Sequence, residues 1–300
     1  MNRSLFAASL LVCCAAAHPA RADEWIDAMT TDLVEGKLKE ALAKYEAVRK
    51  AGHAKAEEAT MRRMQLFARY NKKDELLKEC EEFLKAFPSS TRCKYVTSIK
   101  DKPEKFIQEH SSGLLKRLKT QKVTLNFDGT PLDSALDFVR DISGINIVVL
   151  PDVRLDQASV TLQLKDVSLE KALELMLASA GDVEHKATMG LLVIGKDLRS
   201  VAPHRWTRAE VQSSPAAAEK IMVRRVTLNF PGTELTEVVA FLKDILGVNV
   251  VLNEDARKAN PKVSIRVRNV PCEAALSAML GPQGMEFYLD EVGIRIRVKP

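Results

Sequence analysis

Val123-Thr124-Leu125-Asn126-Phe127 returns as Val226-Thr227-Leu228-Asn229-Phe230, and the fold of the C-terminal half is read outward from that recurrence. Gly129-Thr130 answers Gly232-Thr233, and Asp141-Ile142 with Gly144 and Asn146 answers Asp244-Ile245 with Gly247 and Asn249. Ala172-Leu173 with Met176-Leu177 answers Ala275-Leu276 with Met279-Leu280. The offset is about 103 residues, and the match runs without a gap almost to the C-terminus. What recurs is apolar spacing and turn glycine, the requirements of a fold, while catalytic residue types are nearly absent. Two copies of one module are expected, at 122–198 and 224–300.

Within each copy the periodicities predict strand, helix, strand, strand, helix, strand, strand. Val123, Leu125 and Phe127 alternate with Thr124 and Asn126, the period of a half-buried strand. Thr130 is placed to cap the next helix, with Pro131 at its first position and Asp133 near the positive end of its dipole. That helix gathers Leu132, Ala135, Leu136, Val139 and Ile142 on one face and stops at Gly144. A short strand at 146–150 and an alternating one at 160–165 follow. Ser168 then opens a helix burying Leu169, Ala172, Leu173, Met176 and Leu177. Residues 191–194 close the copy, paired with 183–186. Copy two repeats the pattern with Leu235, Val238, Val239, Leu242 and Ile245, then strands at 263–268 and 294–298 around a helix at 276–280. Two helices on one face of a small sheet make an α+β unit of about 75 residues, large enough to fold alone.

The stretches VTLNFDGTPLDSALDFVRDISGINIVVLPDV, SVTLQLKDVSLEKALELMLASAG and LLVIGK resemble the short N-terminal domain shared by secretins and TonB-dependent transducers. So do VTLNFPGTELTEVVAFLKDILGVNVVL and KVSIRVRNVPCEAALSAML in copy two. The resemblance covers both copies, roughly half of the chain. It implies a periplasmic protein-interaction module, which in that family stacks into rings or contacts a membrane-bound regulator. Pro300 follows directly on copy two, so neither a secretin channel nor an outer-membrane barrel is expected.

The other end reads as an export signal over residues 1–22. Arg3 gives a positive start, residues 5–17 an apolar run too short to span a bilayer, and Ala20-Arg21-Ala22 a cleavage site. Val12 and Cys13 before Cys14 argue against a lipoprotein signal, and a periplasmic, soluble mature chain is expected. Losing Arg3 and Arg21 takes the formal net charge from +5 to about +3, an excess too mild to name a partner. Cys80, Cys93 and Cys272 remain, an odd count. The sequence leaves open whether Cys80 and Cys93 pair across a helical hairpin in an oxidising compartment or stay free, whereas Cys272 reads as a small core residue.

Residues 23–110 are rich in Ala, Glu, Lys and Leu, nearly free of glycine, and helical in period. A helix after Gly36 sets Ala41 and Tyr45 on one face, and a second over 74–87 is stopped by Pro88. The Gly-x4-Ala-x3-Tyr spacing and the Phe-Pro-Ser-Ser ending resemble tetratricopeptide hairpins; a generic helix bundle is the alternative. Residues 111–121 and 199–223 are linkers. Pro103 and Ser111-Ser112-Gly113 act as breakers around a short helix at 114–118.

No phosphate loop, nucleophile elbow, zinc-protease motif or Cys-x-x-Cys is present, so no catalytic, cofactor-binding or metal-binding residue is assigned and no enzyme is expected. His53, His110, His185 and His204 are scattered and read as solvated, as does the acidic stripe Asp133, Asp137 and Asp141. The copies diverge on their outward faces. In copy two, Arg266 and Arg268 on one strand and Arg295, Arg297 and Lys299 on another form a candidate anionic-partner surface if the strands are neighbours. Copy one offers apolar Leu192 and Ile194 instead, against which Trp206 of the linker is expected to pack as a candidate apolar interface. The combined expectation is an exported, non-enzymatic scaffold associating with a secretin, a TonB-type component or itself. The alternative is an envelope-polymer binder using the basic face, and nucleic acid is disfavoured.

Overall fold

The computed structural model describes residues 19–110, 113–181 and 183–300, with side chains from residue 24 onward except at 109 and 156. The expected export signal therefore lies mostly outside the described residues. The N-terminal helices are α1 (Pro19–Leu33), α2 (Leu38–Lys50), α3 (Ala56–Arg69), α4 (Lys73–Ala86), α5 (Cys93–Asp101) and α6 (Pro103–His110). Ala41, Tyr45 and Val48 form the buried stripe of α2, as the spacing predicts, and Tyr45 lies 5.5 Å from the Trp25 ring. Met64, Leu76, Cys80, Phe83, Val96 and Ile99 build a second core beneath α3 to α5. Pro103 breaks the helix as expected, separating α5 from α6 at Lys102, and itself starts α6, because the first helical position needs no N–H. The three described cysteines are free thiols, so the Cys80–Cys93 pairing is not made. Among the described residues no helix is long and apolar enough to cross a membrane.

The C-terminal half is mixed α/β; copy one keeps the expected element order, and copy two keeps it with one unexpected short helix between its second and third strands. Copy one contains β1 (Lys122–Pro131), α8 (Leu132–Ser143), β2 (Ile147–Val149), β3 (Ser159–Ser168), α9 (Leu169–Leu177), β4 (Glu184–Thr188) and β5 (Leu191–Gly195), preceded by α7 (Gly113–Thr120). Copy two contains β6 (Arg225–Glu234), α12 (Leu235–Leu246), β7 (Val250–Leu252), α13 (Glu254–Ala259), β8 (Lys262–Pro271), α14 (Cys272–Leu280), β9 (Met285–Asp290) and β10 (Gly293–Val298), preceded by α10 (Arg208–Ser213) and α11 (Pro215–Val223).

Each copy has two sheets where one was expected. β1 pairs with β3 and β2-β5-β4 form a separate sheet; in copy two these are β6-β8 and β7-β10-β9. Inner residues of both copy-one sheets share a core with α8 and α9. The linkers are helical too: Leu114 and Leu118 of α7 join the copy-one core, and Ala217, Ala218 and Ile221 of α11 join that of copy two. At the repeat offset α7 and α11 correspond, so the repeated unit begins one helix earlier than the strands suggest.

The recurring pentapeptide has a local reason beyond alternation. Asp166 and Asn269 occupy equivalent bulges at φ 53° and 52°, and their N–H groups donate to Thr124 Oγ1 and Thr227 Oγ1. Gly144 and Gly247 end α8 and α12 in the left-handed region, at φ 64° and 65°. Ser168 caps α9 by accepting from the Lys171 N–H. Thr130 does not cap α8. It lies in β1, Pro131 takes the cap position, and the Leu132 N–H donates to the Ala158 carbonyl. Ile142 also departs from expectation at 44% exposure; the buried turn-end residue is Ser143, four residues after Val139.

The match is not gapless. The parallel pairing β2–β5 sets Ile147 beside Leu192, whereas β7–β10 sets Val250, the counterpart of Ile147, beside Ile294. Leu192 is thus the structural partner of Ile294, and the offset shortens by one residue before the last strand. A one-residue slip exchanges the faces of a strand. Leu192 and Ile194 consequently point into the core of copy one, and Val193 takes the place of Arg295.

Candidate functional site: the repeat interface and a junction cleft

The five candidate cations do not share a face, because β8 and β10 belong to different sheets. Arg295 Nε lies 2.8 Å from Asp290, and Arg297 pairs with Glu286 at 2.7 Å while covering the Tyr288 ring. Arg266 and Arg268 instead face copy one. Arg266 Nη1 donates to Asp137 Oδ2 at 3.0 Å, and Arg268 lies 3.8 Å from Asp141. Asp137 and Asp141 of the acidic stripe are thus the counterparts of the cations across the repeat interface, while Asp133 stays exposed as expected. Asn146 completes the contact: its Nδ2 donates to the Arg268 carbonyl at 3.0 Å and its Oδ1 accepts from the Arg268 N–H at 2.7 Å. The ion pairs are substantially exposed and contribute roughly 0–1 kcal/mol each, so they set register more than strength.

An apolar half supplies the strength. β5 is buried along its whole length, Leu192 and Ile194 inward and Leu191 and Val193 outward. Leu191, Val193, Val148 and Leu150 join a core formed with copy two and the N-terminal helices. The candidate apolar interface therefore exists, but on the other face of the strand. Trp206 does not reach Leu192 or Ile194; it packs beside Phe287 at 6.0 Å and His204 at 4.5 Å. His204 is not solvated either: it stacks on Phe287 and lies 3.0 Å from Glu210.

Where the N-terminal helices, copy one and copy two meet, a cleft of about 370 Å³ opens. Arg62 and Arg69 of α3, His110 of α6, Arg225 of β6 and Glu273 of α14 line it together with apolar Leu33, Met222 and Val223. Arg62 is 2% exposed; its Nε donates to Asp32 Oδ2 at 2.6 Å and its Nη1 to Gln65 at 3.0 Å, while Nη2 is enclosed without a partner. Tyr45 also donates to Asp32 Oδ2, at 3.1 Å. His110 Nδ1 contacts the Phe106 carbonyl at 3.0 Å, which assigns the proton to Nδ1. Nε2 is then an acceptor, again enclosed and unpartnered. His110 as a residue is only partly buried, but its Nε2 is enclosed, and desolvation followed by the Arg225 charge pulls its pKa down to about 3. Burial pushes the Glu273 carboxyl up from its ordinary value, opposed by the Trp206 N–H and by His204. That N–H lies toward Glu273 without closing a hydrogen bond of regular geometry. Arg225 holds the Asn269 carbonyl through Nε at 2.9 Å.

None of Arg62, Arg69, Arg225 or Glu273 carries a motif, and His110 reads as a surface residue. The one trace in the sequence is Arg62 itself, a cation in the stretch Ala59 to Ala68 where the apolar period would place a core residue. No protein-family model and no curated protein matches the chain.

Proposed function

We propose that the protein is an exported, non-enzymatic interaction scaffold of the bacterial cell envelope. Its N-terminal helices act as a tetratricopeptide-like docking block and its two α+β modules as domains of the secretin/TonB short-domain kind, with a secretin or TonB-type component as partner. The strand-helix-strand-strand-helix-strand-strand order, kept in copy one and interrupted in copy two only by the short α13, supports that assignment. The observation that carries the binding role is an exposed aromatic kept at one place in both copies. Phe138 on α8 and Phe241 on α12 are 47% and 43% exposed, each edge-on to a strand phenylalanine, Phe127 at 5.7 Å and Phe230 at 5.4 Å. Core packing explains the strand member of each pair, whereas half of the helix member's ring meets water, where a binding surface uses it.

The alternative of an anionic envelope polymer on copy two has weaker support, because Arg266, Arg268, Arg295 and Arg297 each already face a carboxylate. Photo-crosslinking from positions 138 and 241 in the native envelope tests the scaffold reading. The expected result is one protein partner reached from both positions and lost from Phe138→Ala and Phe241→Ala chains whose melting is nearly unchanged. Crosslinks to polysaccharide alone would favour the polymer, and none at either position would remove the basis for docking there.

A further inference from the structure

We propose that a groove between the helical block and copy two binds an acidic peptide segment carrying an aromatic or aliphatic residue among its carboxylates. It rests on the scaffold reading only for there being a protein partner, and it uses residues other than Phe138 and Phe241. Two depressions meet at Tyr95 of α5, one of about 400 Å³ toward α3 and α11 and one of about 500 Å³ toward α6 and the β8 bulge at Asn269. Tyr95 lines both and is 46% exposed, with its ring edge-on to Phe106 at 6.4 Å. Met61 and Val223 give the first depression apolar surface, and Ile99 and Phe106 the second. Core packing accounts for the buried Ile99 and Phe106. A tyrosine ring held half in water between two concave surfaces is instead what a partner's apolar side chain covers.

The sign of the partner follows from the lining charges. Arg92, Lys220 and Arg224 on one side of Tyr95 and Lys102 and Lys105 on the other stand against Glu58, Glu219 and Asp101. Glu58 is matched by Arg92 at 3.5 Å and Glu219 by Lys55 at 2.8 Å. Lys220 and Arg224, one turn apart at the end of α11, make no ion pair among the described residues, and neither does Lys102. Cations left over on both sides of an apolar centre select acidic groups that bracket an apolar one. An anionic polymer without apolar side chains would meet the cations alone, so a peptide accounts for both halves of the groove. Because α3, α5 and α6 belong to the helical block and α11 and β8 to copy two, the occupant spans both.

The test follows the fluorescence anisotropy of a labelled peptide alternating glutamate with phenylalanine as the purified protein is added. Controls are the same peptide with glutamine for glutamate, the same with glycine for phenylalanine, and polygalacturonate as a competing carboxylated polymer at equal carboxylate concentration. The acidic aromatic peptide should bind more tightly than either altered peptide and weaken as salt rises. Lys220→Gln combined with Arg224→Gln should weaken it roughly tenfold, the loss of two exposed charge pairs. Tyr95→Ala should weaken it by a similar factor, and Lys119→Gln, an exposed cation of α7 outside the groove, should leave it unchanged. The proposal is overturned if the peptide does not bind, if either altered peptide binds as tightly, or if the polymer competes as well as unlabelled peptide. It is equally overturned if the double glutamine variant binds no more weakly than Lys119→Gln. Crosslinks from positions 138 and 241 do not involve these residues, so either result can fail while the other stands.

Discussion

Acidification should destabilise the protein through His110, and the size of the effect follows from how the ring is held. Its Nδ1–H is spent on the Phe106 carbonyl, its Nε2 is enclosed, and Arg225, Arg62 and Arg69 all oppose a second proton. The folded-state pKa is pulled down to about 3, while an unfolded histidine titrates near about 6.5. Between these values the unfolded chain binds more protons than the folded one. The contribution is thus complete above about pH 6.5 and is lost as pH falls, at up to roughly 1.4 kcal/mol per unit. From pH 6.5 to 4.5 the loss approaches about 2–3 kcal/mol, a large share of the roughly 5–15 kcal/mol that holds a typical domain. Glu273 works in the opposite sense, since a carboxyl raised in the folded state gains stability as pH falls. It is common to both proteins in the comparison and cancels there. Urea unfolding at several pH values, in the unaltered chain and in His110→Asn, isolates the term, because the asparagine amide can take over the bond to Phe106. The unaltered chain should lose stability more steeply by about 1 kcal/mol per pH unit. Parallel pH profiles would refute the enclosure of a neutral imidazole.

Three further outcomes follow. Asp32→Ala should cost about 3–5 kcal/mol in chemical unfolding, because it strands the buried Arg62 guanidinium without its counter-charge. Gly281→Ala should lower thermal stability by about 1–3 kcal/mol, since its Cβ would stand 2.0 Å from the Ser200 carbonyl oxygen, a backbone atom that cannot swing aside. A thiol reagent should modify Cys93 in the folded protein and reach Cys80 and Cys272 only after unfolding, because burial pushes both of those thiols up to about 12.

The fold was largely legible where local chemistry repeats. The alternation of Val123, Leu125 and Phe127, the glycine stops at Gly144 and Gly247 and the Ser168 cap each follow from short-range rules. α7 was expected over 114–118, whereas α11 and its equivalence to α7 escaped notice because Leu114 and Leu118 correspond to the smaller Ala217 and to Ile221, so the copies share shape there but little identity. The slip before β5 was invisible because Leu191, Leu192, Val193 and Ile194 are all apolar, and a strand buried on both faces has no alternation to read. Asp137 and Arg266 are 129 positions apart, and each alone looks like an ordinary surface charge. The cleft was hidden for the same reason, since its charged groups come from four separate elements.

The central structural claim is that the two copies dock through unlike faces, apolar and acidic on copy one and basic on copy two. Nitroxide labels at exposed Lys171 of α9 and Lys258 of α13, in a Cys93→Ser background, read this directly as a distance distribution. The account predicts one narrow distribution, broadened by Val193→Arg, which installs the residue that copy two carries at that place. A distribution already broad in the unaltered pair, or one that Val193→Arg leaves narrow, would contradict it.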